Sequence, residues 1–381
     1  MKFFLLIFTA LVFSSCSFDN KTGIWIDASD IPSIDNASKP ILENENNTRY
    51  EDIFTKNQTF NEEKKAPNIS NVEIDKSIRI ANWSEQYSIP TNNVSNFFFN
   101  GNKILLSKSS RLKKDNLKKK IVFFKDNFIS HDHKGTIYIY SLSLNKKIFE
   151  YNFYKKNFKN FKKKISFIIN GNILYAADNL GYLYALNLNN NSIVWAKNYG
   201  IPFRSNLKFL DNQIFLANQD NVIYSIDSKT GETNWQFSTS QSFLKSDFEN
   251  NFALDLVNSN LFFLNTNGEL YSVNLLTKKI NWVLNFRNSA SGGEAELFQG
   301  RPLVIKNDSL IVTTEKALLS YNNLTASRNW NFSSEPIFKP IETTGNTFIL
   351  LKNNLLVCLD SISGGIIWSK NIFKDIEKKK T

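Results

Sequence analysis

The residues best suited to chemistry in this chain are few, and the clearest group is His131-Asp132-His133. Residues i and i+2 of a strand share a face, so the two imidazoles could contact one metal ion. The chain has 2 histidines in all, and no cysteine lies near them. Because Gly135 follows closely, exposed turn residues are the favoured interpretation and a metal site is the alternative.

Other catalytic patterns are missing from the sequence. It contains no phosphate-binding loop, no nucleophile elbow, no defensible His–Ser–Asp set and no repeated carboxylates that would converge on one face. The sequence therefore predicts a protein that is not an enzyme and that needs no cofactor or metal.

The two cysteines differ in context. Cys16 follows a basic residue, Lys2, and an apolar stretch, Phe3–Phe13, that is too short to span a bilayer as a helix. Phe13-Ser14-Ser15-Cys16 resembles a bacterial lipobox, although Phe13 departs from the aliphatic residue usual there. The resemblance implies cleavage before Cys16, lipidation of its thiol and export, with Ser17 matching the outer-membrane sorting pattern. An ordinary signal peptide with a chance cysteine is the alternative, and Cys358 is expected to be a packed thiol.

A repeated unit organises most of the chain, and NVIYSIDSKTGETNW (221–235) is its clearest copy. It predicts a strand, a tight turn with Gly231 at φ > 0, and a second strand that ends on a large aromatic residue. The unit recurs in the same register, with residues that tolerate the left-handed conformation at most of the positions four before the aromatic. The aromatic residues, which we expect to dock each blade on the next, are Phe149, Trp195, Trp235, Trp282, Trp330 and Trp368.

The spacing of these aromatics indicates the fold. Successive intervals are 46, 40, 47, 48 and 38 residues, which suits four strands and their turns. We therefore predict an all-β propeller with four-stranded antiparallel blades. Six blades come from the repeats and a seventh from N-terminal strands within Val72–Ser107, which close the ring; eight blades are the alternative count.

The sequence divides into three regions: a lipoprotein signal peptide over 1–15, a flexible polar tether over 16–71 and the propeller over 72–381. The tether has too few apolar residues to offset the entropy of ordering. The net charge is +11. Because the lysine runs are local and no nucleic-acid motif is present, we expect anionic headgroups or acidic partners and no nucleic acid.

The repeats carry a family resemblance. Gly181–Trp195, Asn221–Trp235 and Asn354–Trp368 resemble the tryptophan-docking repeats of quinoprotein-like propellers. With the lipobox and the tether, the chain resembles the outer-membrane assembly lipoproteins, the propeller subunits of the β-barrel assembly machine. That family implies an eight-bladed propeller at the periplasmic face of the outer membrane. It further implies a scaffold that binds the periplasmic domains of the barrel-insertion channel, with nascent outer-membrane proteins as a second class of partner.

The resemblance also implies contact residues. The family binds its channel through a Leu-x-Leu-Arg loop after a docking tryptophan and through an acidic loop one blade later. In this sequence the corresponding segments are 241–247, with Leu244 and Lys245, and 288–300, with Glu294 and Glu296. The first loop is shorter here and the acids of the second are shifted, and solvated loops are the alternative.

Two other function classes stay open. Quinoprotein dehydrogenases share the blades, but that family holds its quinone over a vicinal Cys-Cys disulfide with a calcium ion, and this chain has no Cys pair. A generic periplasmic interaction propeller with another partner is the second alternative.

Overall fold

The computed structural model describes residues 17–18, 25–26, 59–66, 72–101, 121–154, 158, 160–241, 248–286 and 297–374. The chain divides into two compact units, Met1–Thr55 and Lys56–Thr381. In the first unit, β1 (Ser17–Phe18) pairs antiparallel with β2 (Trp25–Ile26). No helix in the described ranges is long and apolar enough to cross a bilayer.

The second unit contains six four-stranded antiparallel sheets, named I to VI in chain order. Sheet I consists of β3 (Val122–Phe124), β4 (Asn127–His131), β5 (Thr136–Ser141) and β6 (Lys146–Asn152). Sheet II consists of β7 (Ile165–Asn170), β8 (Ile173–Asp178), β9 (Tyr182–Asn187) and β10 (Ser192–Asn198). Sheet III consists of β11 (Lys208–Leu210), β12 (Gln213–Ala217), β13 (Val222–Asp227) and β14 (Thr233–Ser238).

The remaining sheets repeat this plan. Sheet IV consists of β15 (Asn251–Asp255), β16 (Asn260–Leu264), β17 (Glu269–Asn274) and β18 (Lys279–Asn285). Sheet V consists of β19 (Val304–Lys306), β20 (Ser309–Thr313), β21 (Ala317–Asn322) and β22 (Arg328–Ser333). Sheet VI consists of β23 (Ile341–Glu342), β24 (Asn346–Leu350), β25 (Leu355–Asp360) and β26 (Ile366–Asn371).

The first strand of each sheet lies inside and the fourth lies outside. First strands of successive sheets contact one another from β3 to β23. Every residue of β15 is buried, whereas the outer strand β18 alternates between exposed and half-buried residues. Apolar clusters fill the space between neighbouring sheets. This arrangement of four-stranded sheets confirms the predicted β-propeller class.

An irregularity recurs in the same place in all six sheets. The register between the third and fourth strands shifts by one residue immediately before the docking aromatic. In sheet III the shift leaves Trp235 directly opposite Ser225. Such a bulge re-aims the side chain that follows it, and a small residue opposite leaves room for the ring. The small residues ten positions before most aromatics have this role.

The predicted seventh blade is not formed by the described part of Val72–Ser107. Residues 72–101 make isolated bridges instead, such as Ile78 with Phe97 and Trp83 with Phe123. The reason is that Trp83–Asn93, named the axial segment, hydrogen-bonds the first strands of sheets that are already complete. The count of seven or eight blades remains a prediction, since six four-stranded sheets lie within the described residues.

Residues 59–66 extend the propeller unit into the region that we predicted to be tether. The ring of Phe60 packs on Phe332 of β22, with ring centroids 5.5 Å apart. Lys64 pairs antiparallel with Ser369 on the outer strand β26. The compact unit that holds the six sheets begins at Lys56, and one half-buried aromatic and a few backbone bonds connect residues 59–66 to it. The predicted boundaries of the tether and the propeller domain remain predictions.

Candidate functional site

The turn between the third and fourth strands has the same backbone conformation in every sheet. The residue four positions before each docking aromatic has a positive φ, whether or not it is glycine. These residues are Asn145, Asn191, Gly231, Lys278, Ala326 and Gly364. Asp227 illustrates how the turn is held, since its carboxylate accepts hydrogen bonds from the N–H groups of Lys229 and Thr230.

The turn of one sheet receives the aromatic residue of the sheet before it. The indole N–H of Trp195 donates to the carbonyl of Ser228 at 3.0 Å, and that of Trp330 donates to the carbonyl of Ser361 at 2.9 Å. A Cβ added to Gly231 would lie 2.8 Å from the Trp195 ring. The left-handed residue therefore supplies both the turn and the flat surface on which the ring lies.

The other predicted docking residues occupy related places. Phe149, Trp235 and Trp282 pack in the clusters between their own sheet and the next. The indole N–H of Trp282 is buried without a hydrogen-bond partner, unlike those of Trp195 and Trp330. Trp368 contacts Phe348 of its own sheet, with ring centroids 6.2 Å apart.

The axial segment, Trp83–Asn93, contacts the first strand of each sheet in chain order. The backbone of Trp83 pairs with Phe123 of sheet I, and the carbonyl of Ser84 accepts from Ile169 of sheet II. The carbonyls of Pro90 and Thr91 accept from Leu254 of sheet IV at 2.9 Å and Ile305 of sheet V at 3.0 Å. Side-chain atoms make the remaining links: Lys208 of sheet III to Glu85, and Asn93 to the Glu342 carbonyl of sheet VI.

The axial segment therefore fills the centre of the propeller with the chain's own groups. Asn92 is fully buried and its amide donates to the carbonyls of Phe252 at 2.8 Å and Leu303 at 3.0 Å. Lys339 donates to the carbonyl of Asn92 at 2.6 Å. Sequence analysis missed this role because a segment without regular secondary structure carries no periodic signal.

Charged groups around the axial segment have shifted pKa values. The ammonium of Lys208 is fully buried against Glu85, and burial lowers the pKa of Lys208. Burial, followed by the nearby charge of Lys208, lowers the pKa of Lys339 to about 8. Burial raises the pKa of Glu342 to about 7, and one of its carboxylate oxygens has no hydrogen-bond partner. Lys208 pairs with Glu85, and Lys339 and Glu342 bond to the Asn92 carbonyl and the Ser361 hydroxyl, so the described partners of these groups belong to the chain itself.

The His131-Asp132-His133 segment differs from the expectation of exposed turn residues. His131 and Asp132 are buried, and His133 alone is exposed. The carboxylate of Asp132 accepts from the N–H groups of Lys134 and Thr136, so it organises the turn before β5. Among the described residues, no group of three or more His, Cys, Asp or Glu side chains could hold a metal ion.

The role of Asp132 recurs at a position that sequence analysis overlooked. Asp or Asn stands seventeen residues before four successive docking aromatics, and each holds the turn between the second and third strands with two side-chain hydrogen bonds. These residues are Asp132, Asp178, Asn218 and Asn265. Extending the repeat register by three more positions would have revealed them.

Two adjoining clefts lie at the end of the propeller that carries the connections between consecutive sheets, and Glu249 lines both clefts. Arg204 and Lys164 line the first cleft, and Tyr87 and Arg301 line the second. The guanidinium of Arg301 donates to the carbonyls of Ile337 at 2.7 Å and Gly300 at 2.9 Å, so backbone groups fix its orientation.

The second cleft joins the ends of the two loops that we predicted to bind a partner. Phe248 directly follows the segment 241–247, which holds Leu244 and Lys245, and Phe298 lies near the end of the segment 288–300, which holds Glu294 and Glu296. The two phenyl rings meet edge to face with centroids 5.5 Å apart, and Phe248 lines the second cleft.

A comparison with family models identifies the repeats. The model described as "Outer membrane protein assembly factor BamB" matches residues 155–370, which is more than half of the chain. The chain belongs to the BamB family.

Two BamB proteins resemble this chain at low sequence identity or over a short stretch. It is 32% identical over 69 residues to the outer membrane protein assembly factor BamB of Legionella pneumophila (strain Paris), and the alignment covers 18% of this chain and 17% of that protein. The crystal structure of BamB from Moraxella catarrhalis superposes with a TM-score of 0.57 at 14% identity. That match covers 69% of this chain and 77% of the other. It shows the same fold.

Several residues that the BamB resemblance singled out lie outside the described residues. They are Cys16, Leu244, Lys245, Glu294 and Glu296. Their roles as a lipidation site and as partner contacts remain predictions. The thiol of Cys358 is buried opposite Trp368, and burial raises its pKa to about 11, which agrees with a packed and unreactive cysteine.

Proposed function

We propose that this protein is a non-catalytic scaffold of the outer-membrane β-barrel assembly machine. Its partner in this proposal is the set of periplasmic domains of the barrel-insertion channel, and nascent outer-membrane proteins are a second class of partner. Membership of the BamB family supports the general role. The site of action would be the periplasmic face of the outer membrane, with Cys16 carrying the lipid anchor.

The contact between Phe248 and Phe298 is the observation that supports the binding site most directly. It brings together the ends of two loops from different sheets, so residues on both loops can act on one partner. Leu244 would bury its side chain in a groove of the partner, and Lys245 would pair with a carboxylate at its edge. Glu294 and Glu296 would contact cations of the same partner.

The filled centre supports a scaffold over the dehydrogenase alternative. A bound quinone needs a concave site with converging polar groups. In this chain, the amide of Asn92 and the ammonium groups of Lys208 and Lys339 already bond to groups of the chain itself. Binding would therefore use the outer surface and the loops.

A titration of the purified channel periplasmic domains tests the proposed site. Leu244→Ala combined with Lys245→Ala should weaken binding by about 2 kcal/mol or more, because few residues carry most of an interface's energy. Lys114→Ala with Lys119→Ala, in the basic run 111–120 that lies outside the described residues, is the control and should leave affinity unchanged. An unaltered affinity of the first variant would discard this site, and a lowered melting temperature would show that its residues are structural.

Affinity capture of the tagged full-length protein from its native membrane tests the wider role. Recovery of the barrel-insertion channel in mass spectrometry is the expected result. Recovery of a cytochrome or an electron-transfer partner without the channel would contradict the assembly role.

A further inference from the structure

Three consecutive sheets present a large aliphatic side chain to solvent at the same turn position. The position lies two residues after the residue that starts the turn between the third and fourth strands. Its occupants in sheets IV, V and VI are Leu276, Leu324 and Ile362, which are 76%, 48% and 85% exposed. Sheets II and III have polar residues there, Asn189 and Lys229.

These three side chains, named the apolar tips, are held outward by the turns. The N–H groups of Leu276 and Leu324 donate to the side-chain oxygens of Asn274 at 3.1 Å and Asn322 at 3.0 Å. The N–H of Ile362 donates to the carboxylate of Asp360 at 3.1 Å. Because these bonds fix the backbone, the tips cannot turn inward without losing them. Single exposed apolar residues are ordinary on protein surfaces, whereas these three recur at one turn position in consecutive sheets.

The tips lie on one face of the molecule, named the turn face. In every sheet the turn between the third and fourth strands hydrogen-bonds to the turn between the first and second. In sheet IV the link is the N–H of Leu275 to the carbonyl of Ser259 at 2.9 Å. Between sheets IV and V, Asn323 donates to Asp255 at 3.1 Å, next to Val257, which is 91% exposed.

The apolar character continues beyond sheet VI. Thr344 of that sheet donates to Asp75 at 2.6 Å, and Asp75 lies between the exposed Ile74 and Ile78. Ile78 in turn pairs with Phe97, which opens a run of three exposed phenylalanines, Phe97–Phe99. The apolar surface therefore extends from sheet IV to the N-terminal part of the propeller unit.

The exposed charge beside the tips of sheets IV and V is mostly positive. Lys278, Lys279 and Arg328 follow the tips of sheets IV and V and are exposed, and they outnumber the exposed carboxylate of Asp308. The carboxylate of Asp360 is engaged with turn N–H groups, and that of Asp75 pairs with Lys306. At sheet VI the nearby charges are the carboxylate of Asp360 and that of Glu73, which lies beside Gly345. The pairing of aliphatic tips with cations at sheets IV and V matches the boundary between lipid headgroups and acyl chains.

We infer that the turn face of sheets IV to VI docks on the surface of an anionic phospholipid bilayer, with the apolar tips inserted among the headgroups. The cations beside the tips of sheets IV and V favour an anionic lipid surface as the occupant. The inference does not depend on channel binding, because it uses a different part of the surface.

Vesicle sedimentation tests the inference on the chain that begins at Ser17, which removes the apolar segment Phe3–Phe13. The six sheets belong to the separate compact unit Lys56–Thr381, so this truncation leaves them intact. The unaltered chain should bind vesicles of phosphatidylcholine with phosphatidylglycerol more tightly than phosphatidylcholine alone. Leu276→Thr, Leu324→Thr and Ile362→Thr together should weaken binding about tenfold or more, since buried aliphatic surface drives insertion.

The matched control places the same kind of change on the outer strands. Ile193→Thr, Val194→Thr and Val283→Thr alter residues that are 40%, 50% and 46% exposed away from the turns. This variant should bind vesicles like the unaltered chain. Lys278→Asn with Lys279→Gln should weaken binding to the anionic vesicles and leave the weak binding to phosphatidylcholine unchanged.

Three results would overturn the inference. The first is unchanged vesicle binding by the tip variant. The second is an altered sedimentation coefficient of that variant without a change in vesicle binding, which would assign the tips to a contact between two copies. The third is loss of channel binding with vesicle binding retained, which would assign them to a protein partner.

Discussion

At the scale of single residues, one left-handed turn residue and one aromatic ring make the contact between neighbouring sheets. Gly231 accepts the ring of Trp195, and Gly364 accepts that of Trp330 in the same way. The contact depends on a left-handed backbone conformation and does not require glycine, because Ala326 and Lys278 also adopt a positive φ at the same turn position.

The hydrogen bond of the docking indole should have a measurable effect on stability. Trp330→Phe removes the bond to the Ser361 carbonyl, whereas Trp282→Phe removes an N–H that has no partner. Both changes delete similar volume, so the first should cost about 1 kcal/mol more than the second. Chemical denaturation of the two variants measures the difference, and equal losses would show that the hydrogen bond contributes nothing.

Glu342 should make stability depend on pH. Burial raises its pKa from 4.5 to about 7, so between these pH values the folded state binds more protons than the unfolded state. Stability from this group is therefore present below pH 4.5 and is lost as pH rises through 7. Glu342→Gln should remove that slope and be more stable than the unaltered protein by about 2 kcal/mol at pH 8.

Denaturation across pH 4.5 to 8 measures the effect of Glu342. Ser361 and Thr347 hydrogen-bond its carboxyl group and Lys306 is the charge that acts on it, so none of these residues should be altered in the same variant. Glu232→Gln is the control for the same change at a surface carboxyl group, because its side chain is 74% exposed. A Glu342→Gln profile parallel to that of the unaltered protein would contradict the assignment.

At the scale of elements, the axial segment links six sheets that are separate from one another in their strand pairing. It has no regular secondary structure, yet Trp83 to Asn93 bonds each sheet from I to VI in turn. Its backbone carbonyls take the place of side chains that would otherwise have to fill the axis. The segment is therefore an integral part of the core.

The buried pair of Lys208 and Glu85 tests the importance of this segment. Lys208→Met leaves a carboxylate buried without its partner and should cost about 3–5 kcal/mol. Adding Glu85→Leu should restore most of that loss, because an apolar pair of similar volume avoids the cost of desolvating two charges. Denaturation of both single variants and the double variant completes the cycle, and additive losses would show that the two residues do not interact.

At the scale of the whole molecule, we propose two separate means of attachment to the membrane surface. The lipid expected on Cys16 would hold the N-terminus, and the turn face of sheets IV to VI would orient the propeller. Two weak signals together bind a bilayer more firmly than either one alone. The clefts beside Phe248 and Phe298 lie at the opposite end of the sheets, where one sheet leads into the next.

Removal of the predicted lipidation site tests the first attachment. Cys16→Ala should move the protein from the membrane fraction to the soluble fraction after a salt wash, since acyl chains supply the strongest apolar attachment. Fractionation and immunoblotting measure the distribution, with Cys358→Ala as a control that stays at the membrane. A Cys16→Ala protein that remains in the washed outer membrane would contradict lipid anchoring.

The sequence by itself determined the features that depend on neighbouring residues. Turn chemistry and strand alternation are local, so residues such as Asp227, Gly231 and Trp235 predict a strand, a turn and a second strand. The recurrence of this unit at intervals of 38 to 48 residues predicts the four-stranded blade and the propeller class. The bulge before Trp235 and the opposed Ser225 follow from the same register.

Tertiary structure alone decided what fills the axis and which carboxylates are buried. Asn92 meets Phe252 and Leu303, and Glu85 meets Lys208, across more than a hundred residues of chain. No local pattern encodes such partners, because the closure of the ring creates the space that these groups occupy. For the same reason the sequence predicts a closing blade within Val72–Ser107. Its short apolar runs fit a strand as well as they fit a segment that the six sheets hold in the centre.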